Sequence, residues 1–94
     1  MIRINSKFEI KPDTDRDIVL ALGKDLVRHS RRDAGNVDYD LMVSSTNPNE
    51  MMFVETWDTA ENLKAHSEAS HFERLVPMLK DMTVDGMHLD RFEF

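Results

Sequence analysis

The chain has 94 residues, with 18 acidic and 12 basic side chains and a formal net charge of −6. This length suits one domain, residues 1–94, and the negative surface should repel phosphate backbones and anionic lipids, so we expect no nucleic acid and no membrane as partners. Cysteine is absent, which excludes disulfides, thiolate nucleophiles and cysteine-based metal sites and fits a reducing, cytoplasmic location.

The beginning of the chain predicts a strand followed by a helix. Apolar residues alternate with polar ones from Ile2 to Ile10, the period of a strand, and no apolar run is long enough for a secretory signal or a membrane span. Pro12 ends this strand. Asp13 or Thr14 is then a candidate cap for a helix over residues 15–33, whose apolar residues recur at helical spacing.

The middle of the chain predicts two neighbouring strands. Gly35 lies in Ala34-Gly35-Asn36, a sequence that suits a helix exit. Residues 37–43 alternate, with Val37, Tyr39, Leu41 and Val43 on the apolar face. Turn-forming residues over 44–50 should join this strand to a third, Met51 to Trp57, in antiparallel fashion.

The last part of the chain predicts two short helices and a final strand. Asp58 with Glu61, and Ser70 with Glu73, match the spacing of a capping box at a helix start. Pro77 cannot donate a backbone hydrogen bond, so we expect a kink or restart there. Gly86 should release the chain into a strand over residues 87–94.

This order of elements predicts an α+β fold with the ferredoxin-like split β-α-β pattern. The fold has one antiparallel sheet with its helices on one face, which leaves the other face uncovered. A chain of this size buries only about 60 to 65% of the surface that its unfolded form exposes. We therefore expect a homodimer in which a second copy covers the open face of the sheet.

The block Glu55-x-Trp57, with Leu63, His66 and the string Ser70-His71-Phe72 after it and Ala34 to Leu41 before it, resembles the antibiotic biosynthesis monooxygenase domain, the dimeric α+β barrel group. The resemblance covers nearly the whole chain and implies a ferredoxin-like dimer. Within that family the chain is most similar to the quinol monooxygenase-like group, whose members use dioxygen without a cofactor.

Two branches of the family fit less well. The anthrone-oxidising branch has an asparagine four residues before the strand tryptophan, where this chain has Phe53. The haem-degrading branch has a tryptophan and an iron-binding histidine where this chain has His66 and Val76. Asn5 on strand one resembles an asparagine that several branches use.

Cofactor-free oxygenation of an aromatic needs a base to form the substrate anion and donors to hold the oxyanion. Imidazole side chains as a class can act as bases near neutral pH, which makes His66 and His71 the candidate bases, and His71 lies at a predicted helix start. Trp57 and Asn5 offer neutral N–H donors. These four residues are the predicted catalytic group.

An apolar pocket for the substrate is the third requirement. We expect Phe53, Glu55, Phe72 and Tyr39 to form this pocket and to bind a small aromatic molecule, with dioxygen as the second substrate. Core packing is the alternative role for Tyr39, and an ion pair or hydrogen bond is the alternative for Glu55.

No cofactor is expected. His66 and His71 are five residues apart, which is not the helical spacing of zinc pairs, and the three glycines form no phosphate loop. Two alternatives to an oxygenase stay open. One is an isomerase or lyase acting on a small hydroxylated or phosphorylated ketone, and the other is a noncatalytic small-molecule-binding or stress-response module.

Overall fold

Four strands and three helices make up the chain, and the computed structural model describes all of residues 1–94. They follow in the order β1 (Ile2–Glu9), α1 (Arg16–Ser30), β2 (Asn36–Val43), β3 (Glu50–Trp57), α2 (Ala60–Ser67), α3 (Ser70–Asp81) and β4 (His88–Glu93). The sheet order is β2-β3-β1-β4, with every neighbouring pair antiparallel. The predicted α+β ferredoxin-like fold is therefore confirmed.

The two central strands, β1 and β3, provide the floor of the core. Ile4 lies opposite Glu55, and Ser6 lies opposite Phe53. Residues directly opposite each other in an antiparallel pair point to the same side of the sheet. Alternate residues of both strands therefore face the helices, which explains the buried alternation on β1.

Two predicted helix starts are displaced by one or two residues. The cap of α1 is Asp15 rather than Asp13 or Thr14, and its side chain accepts the Asp17 N–H over 2.9 Å. The cap of α2 is Thr59 rather than Asp58. Asp58 instead accepts a hydrogen bond from the Asn62 side chain over 2.9 Å.

The third helix departs from its prediction at both the start and the proline. Ala69 precedes it as the cap residue and makes no side-chain capping bond, so the capping box at Ser70 and Glu73 does not form. The helix also continues through Pro77 without restarting. Leu75, Val76 and Leu79 are buried around the proline, and this packing compensates for the backbone hydrogen bond that proline cannot donate.

The passage from α1 into β2 contains the main irregularity of the sheet. The helix ends at Ser30, three residues before the predicted position, and Gly35 then adopts a positive φ of 79°. A β-bulge follows between Asn36 and Asp38, which leaves Val37 as an extra residue. Val37 is consequently 57% exposed, and its predicted place on the apolar face is wrong.

The face of the sheet opposite the helices carries several exposed apolar side chains. Met42 and Phe92 are 47% and 52% exposed, and every residue of β4 is exposed. The strand β4 is also one residue shorter at each end than the predicted range 87–94. None of the three helices combines the length and the apolar character needed to cross a bilayer.

Candidate functional site

A cavity of about 100 Å³ lies between the helix-facing side of the sheet and the helices α1 and α3. All four residues predicted to bind substrate line it: Tyr39, Phe53, Glu55 and Phe72. The structure thus brings these four residues together around one cavity.

Larger depressions occur elsewhere on the molecule. The largest, about 660 Å³, lies between α1 and the edge strand β2 and is lined in part by Lys24, Arg28, Arg31 and Arg32. Neither this groove nor any of the other three contains a predicted site residue. The small cavity is therefore the candidate site.

Glu55 places a carboxylate in the wall of the cavity. Because residues two apart on a strand share a face, the side chain of Trp57 lies beside it and donates its indole N–H to Glu55 Oε1 over 2.9 Å. Glu55 is 7% exposed, and burial raises the pKa of its carboxyl above the usual value, an effect that the Trp57 donor partly offsets. The indole N–H predicted to hold an oxyanion is thus already engaged by Glu55.

Tyr39 lies opposite Glu55 on the neighbouring strand β2. Burial raises the pKa of its hydroxyl far above the usual range, and the nearby Glu55 carboxylate raises it further. Tyr39 therefore offers the cavity a neutral hydroxyl, which can donate a hydrogen bond.

The two predicted histidines meet behind the cavity, where they share Asp33. The carboxylate oxygen Oδ2 of Asp33 lies 2.8 Å from His66 Nδ1 and 2.8 Å from His71 Nε2. His66 lies in the last turn of α2 and His71 in the first turn of α3, and the two-residue break between these helices turns both rings toward the loop after α1. Asp33 thereby ties three segments of the chain together.

His66 is surrounded by aromatic rings. Its ring centre lies 4.6 Å from that of Trp57, 5.2 Å from that of Phe72 and 5.4 Å from that of Tyr39. Burial lowers the pKa of His66, although its bond to Asp33 acts in the opposite direction. Its second nitrogen, Nε2, is buried without a hydrogen-bond partner. His66 thus lies inside the core with one ring nitrogen bound to Asp33 and the other unpaired.

Asp33, His66 and His71 also form a donor set of a kind that binds metal ions. Their ligand atoms all lie within 4.8 Å of one another, and two imidazoles with one carboxylate suit several divalent transition metals. Their five-residue spacing is not that of a zinc pair on one helix, but the two histidines converge because they belong to different helices. Each 2.8 Å separation from Asp33 is the length of a hydrogen bond.

Asn5 is separated from the other predicted catalytic residues. It lies opposite Val54, between Ile4 and Ser6, so its side chain points to the open face of the sheet. Its Oδ1 accepts a hydrogen bond from Arg3 Nε over 3.0 Å. The sheet therefore lies between the Asn5 side chain and the cavity.

Three further polar residues at the site were not predicted from the sequence. Ser6 and Lys80 line the cavity, and Asp33 anchors both histidines. Ser6 does fall in the helix-facing alternation of β1, so the period of that strand could have indicated it. Asp33 lies 33 residues before His66, and no local pattern marks this long-range contact.

Comparison with known proteins agrees with this architecture. The pattern of the family described as antibiotic biosynthesis monooxygenase matches residues 1–77. A Bacillus subtilis protein named "Putative monooxygenase YcnE" is 32% identical over 93 residues, which cover 99% of this chain and 97% of that protein.

Solved structures give the same result. A crystal structure described as an antibiotic biosynthesis monooxygenase superposes with a TM-score of 0.93 at 30% identity and covers 100% of this chain and 98% of its own. A conserved protein of unknown function from Bacteroides thetaiotaomicron superposes with a TM-score of 0.90 at 33% identity, covering 99% and 96% of the two chains.

Proposed function

Because the chain belongs to the antibiotic biosynthesis monooxygenase family, which gives it a general monooxygenase-like function, we propose that it oxygenates a small quinol-like aromatic with dioxygen and without a cofactor. One observation carries the choice of site and substrate. The cavity joins aromatic walls, Phe53 and Phe72, to a buried carboxylate, Glu55, whose pKa is raised.

The proposed reaction starts with proton transfer to Glu55. A carboxylate with a raised pKa is a better match for a phenolic proton at neutral pH than an ordinary one. The resulting electron-rich anion transfers electrons to dioxygen. One oxygen atom then enters the product and the other leaves as water, so the substrate supplies all the reducing electrons.

Hydroxyl donors in the cavity support the anion in this scheme. Tyr39 and Ser6 both line the cavity, and a neutral hydroxyl can donate to a substrate oxygen as its negative charge develops. Trp57 acts through Glu55, since its indole N–H already binds that carboxylate. Phe53 and Phe72 exclude water from the reacting ring.

The histidines are proposed to support the site from behind. His66 packs on both Trp57 and Phe72, and Asp33 fixes the orientation of the His66 and His71 rings. Neither histidine lines the cavity. In this proposal His66 and His71 therefore position the aromatic wall, and Glu55 replaces them as the base.

Oxygen uptake with a panel of chemically reduced quinones tests the proposal. We expect consumption above the buffer rate for the wild type and a loss of about 100-fold or more in Glu55→Gln, since removing a general base typically costs that much. His88→Gln, on the exposed strand β4, is the control and should behave like the wild type. Absence of oxygen uptake with every quinol, or full activity in Glu55→Gln, would contradict the proposal.

The same panel under anaerobic conditions separates the alternatives. An isomerase or lyase would convert its substrate without dioxygen, whereas the proposed reaction stops when dioxygen is removed. Turnover of a hydroxylated or phosphorylated ketone in the absence of oxygen would therefore favour that class over an oxygenase.

A further inference from the structure

One face of α3 covers the cavity along its whole length, and we call this face the cavity roof. Phe72, Val76 and Lys80 are spaced by four residues, so they lie in a row on one side of the helix, and all three line the cavity. At 1.5 Å per residue, this row spans about 12 Å. The roof therefore runs from an aromatic ring at one end to a lysine at the other.

The two charged residues of the cavity lie at opposite ends of this row. Glu55 and Lys80 are the only ionisable acid and base among the side chains that line the cavity, apart from the Tyr39 hydroxyl. Glu55 binds Trp57, which packs on His66, and His66 in turn contacts Phe72. These contacts place Glu55 at the aromatic end, and Lys80 lies eight residues further along α3.

The lysine end of the cavity opens to solvent. Lys80 is exposed and lies near the cavity residues Met87 and Leu89, and Leu89 is 63% exposed. The Lys80 ammonium belongs to none of the ion pairs of the protein, in contrast to Lys7, which pairs with Glu50. Lys80 is the one basic residue that lines this cavity, and its charge is not neutralised by an acidic partner.

We propose that the substrate is a quinol-type aromatic carboxylate, which carries two ring hydroxyls, with its carboxylate paired to Lys80 and one hydroxyl directed at Glu55. This inference rests on the proposed function and adds the chemical class of the substrate. Repulsion between the substrate carboxylate and Glu55 fixes the direction of binding, because the opposite orientation would place two carboxylates together. Lys80 is thus a specificity-determining residue.

The size of the cavity limits the ring system of the substrate. Its volume of about 100 Å³ is somewhat smaller than the roughly 150 Å³ of an engineered protein cavity that binds benzene. The cavity therefore holds no more than one aromatic ring, and the carboxylate substituent would lie outside it at the open lysine end. A fused polycyclic substrate would require the walls to move apart.

Anaerobic binding measurements test this assignment without requiring turnover. Trp57 is the only tryptophan and lies next to Glu55, so its fluorescence can report the occupancy of the cavity. The probes are 4-hydroxybenzoate and its neutral methyl ester. We expect the wild type to bind the carboxylate about twofold to fivefold more tightly than the ester, the range expected for an exposed ion pair.

Variants of two lysines distinguish an ion pair between Lys80 and the ligand carboxylate from a general effect of the net charge of the protein. Lys80→Met should lose the preference for the carboxylate, and Lys80→Glu should reverse it. Lys64→Met removes the same charge from the exposed surface of α2, outside the cavity, and should keep the wild-type preference. Equal binding of acid and ester by the wild type, or the same preference in Lys80→Met and Lys64→Met, would overturn the inference.

Failure of this inference differs from failure of the proposed function. Oxygen uptake with a neutral quinol but no preference for the carboxylate would overturn only the substrate class. A preference for the carboxylate that Lys80→Met abolishes, without oxygen uptake from any compound, would support the role of Lys80 and contradict the oxygenase proposal.

Discussion

Trp57 donates its indole N–H to Glu55 Oε1 over 2.9 Å, and both side chains are buried on the helix-facing side of β3. The bond gives a core tryptophan a chemical role, because the indole stabilises the ionised form of a carboxylate that burial disfavours. Trp57 therefore affects the pKa of Glu55 although it does not itself line the cavity.

Removal of this donor should make Glu55 more basic. In Trp57→Phe an aromatic ring remains but the indole N–H is lost, so the pKa of Glu55 should rise above its already raised value. If Glu55 is the base, the acidic limb of the pH profile for kcat/KM should move to higher pH. Phe72→Leu alters the cavity wall without removing a hydrogen bond to Glu55 and serves as the control. An unchanged limb in Trp57→Phe would argue against Glu55 as the titrating group.

Glu55 should also reduce the stability of the fold as the pH rises. Its folded-state pKa is raised above 4.5, so between these two values the folded chain binds more protons than the unfolded chain. The free energy of unfolding must then fall as the pH rises through this window. The Glu55→Gln side chain does not titrate. The free energy of unfolding of this variant, measured by urea unfolding at several pH values, should therefore increase relative to that of the wild type as the pH rises through the window. His66 titrates in both proteins, so its opposite contribution cancels in the comparison. A constant difference would contradict the prediction.

The shared carboxylate of Asp33 should contribute to stability. Asp33→Ala leaves two largely buried imidazoles without their acceptor, and we expect a loss of about 1–3 kcal/mol in the free energy of unfolding. For a domain of this size, each kcal/mol lowers Tm by about 4–8 °C. Asp85→Ala is a matched control, because Asp85 pairs with His88 where both side chains are more than 60% exposed. Similar losses in the two variants would show that burial of the Asp33 cluster is unimportant.

The turn before β2 should tolerate no side chain at Gly35. Both Gly35 and Gly86 have positive φ, at 79° and 88°, so alanine at either position incurs a backbone cost of about 1–2 kcal/mol. A Cβ at Gly35 would also overlap the side chains of Asp58 and Asn62, whereas a Cβ at Gly86 meets no atom within 4 Å. Gly35→Ala should therefore lower the denaturation midpoint more than Gly86→Ala. Equal midpoints would show that the turn relaxes around the new methyl group.

We propose that the open face of the sheet pairs with a second copy of the chain. Phe92 and Met42 expose apolar surface there, and a partner sheet would remove that surface from water. Phe92→Glu should lower the molar mass measured by light scattering from that of a dimer to that of a monomer, while Val84→Glu, also at an exposed apolar residue, should leave it unchanged. A monomeric wild type would refute the proposal.

Most strands and helices could be predicted from the sequence because their hydrophobic patterns depend on residues close together in the chain. The period-two alternation of β1 predicted its buried face, and that face is where the structure places Ile4 and Ser6. Proline at position 77 misled the prediction for α3 because a local rule was weighed without the burial of Leu75 and Leu79. Tertiary packing decided the outcome at that position.

In the candidate site, too, residues close together in the sequence were predicted, and residues that only the fold brings together were missed. Phe53, Glu55 and Phe72 lie in one short stretch of sequence, and the structure places all three around the cavity together with Tyr39. Asp33 and Lys80 escaped prediction because an aspartate after a helix and a lysine near a helix end are ordinary surface residues. Only the fold shows that one meets two histidines and the other lies at the cavity mouth.

The β-bulge at Val37 has a further consequence for the evolution of this molecule. Because one unpaired residue separates the loop that carries Asp33 from the strand that carries Tyr39, the two sides of the bulge are not held to a single pairing register. Loss of Val37 would pull the loop along the direction of β2 by about one strand step of 3.3 Å, enough to break the 2.8 Å contacts of Asp33 with its histidines, while the pairing from Tyr39 onward is kept. A relative lacking this one residue could keep the cavity wall and lose the histidine cluster behind it.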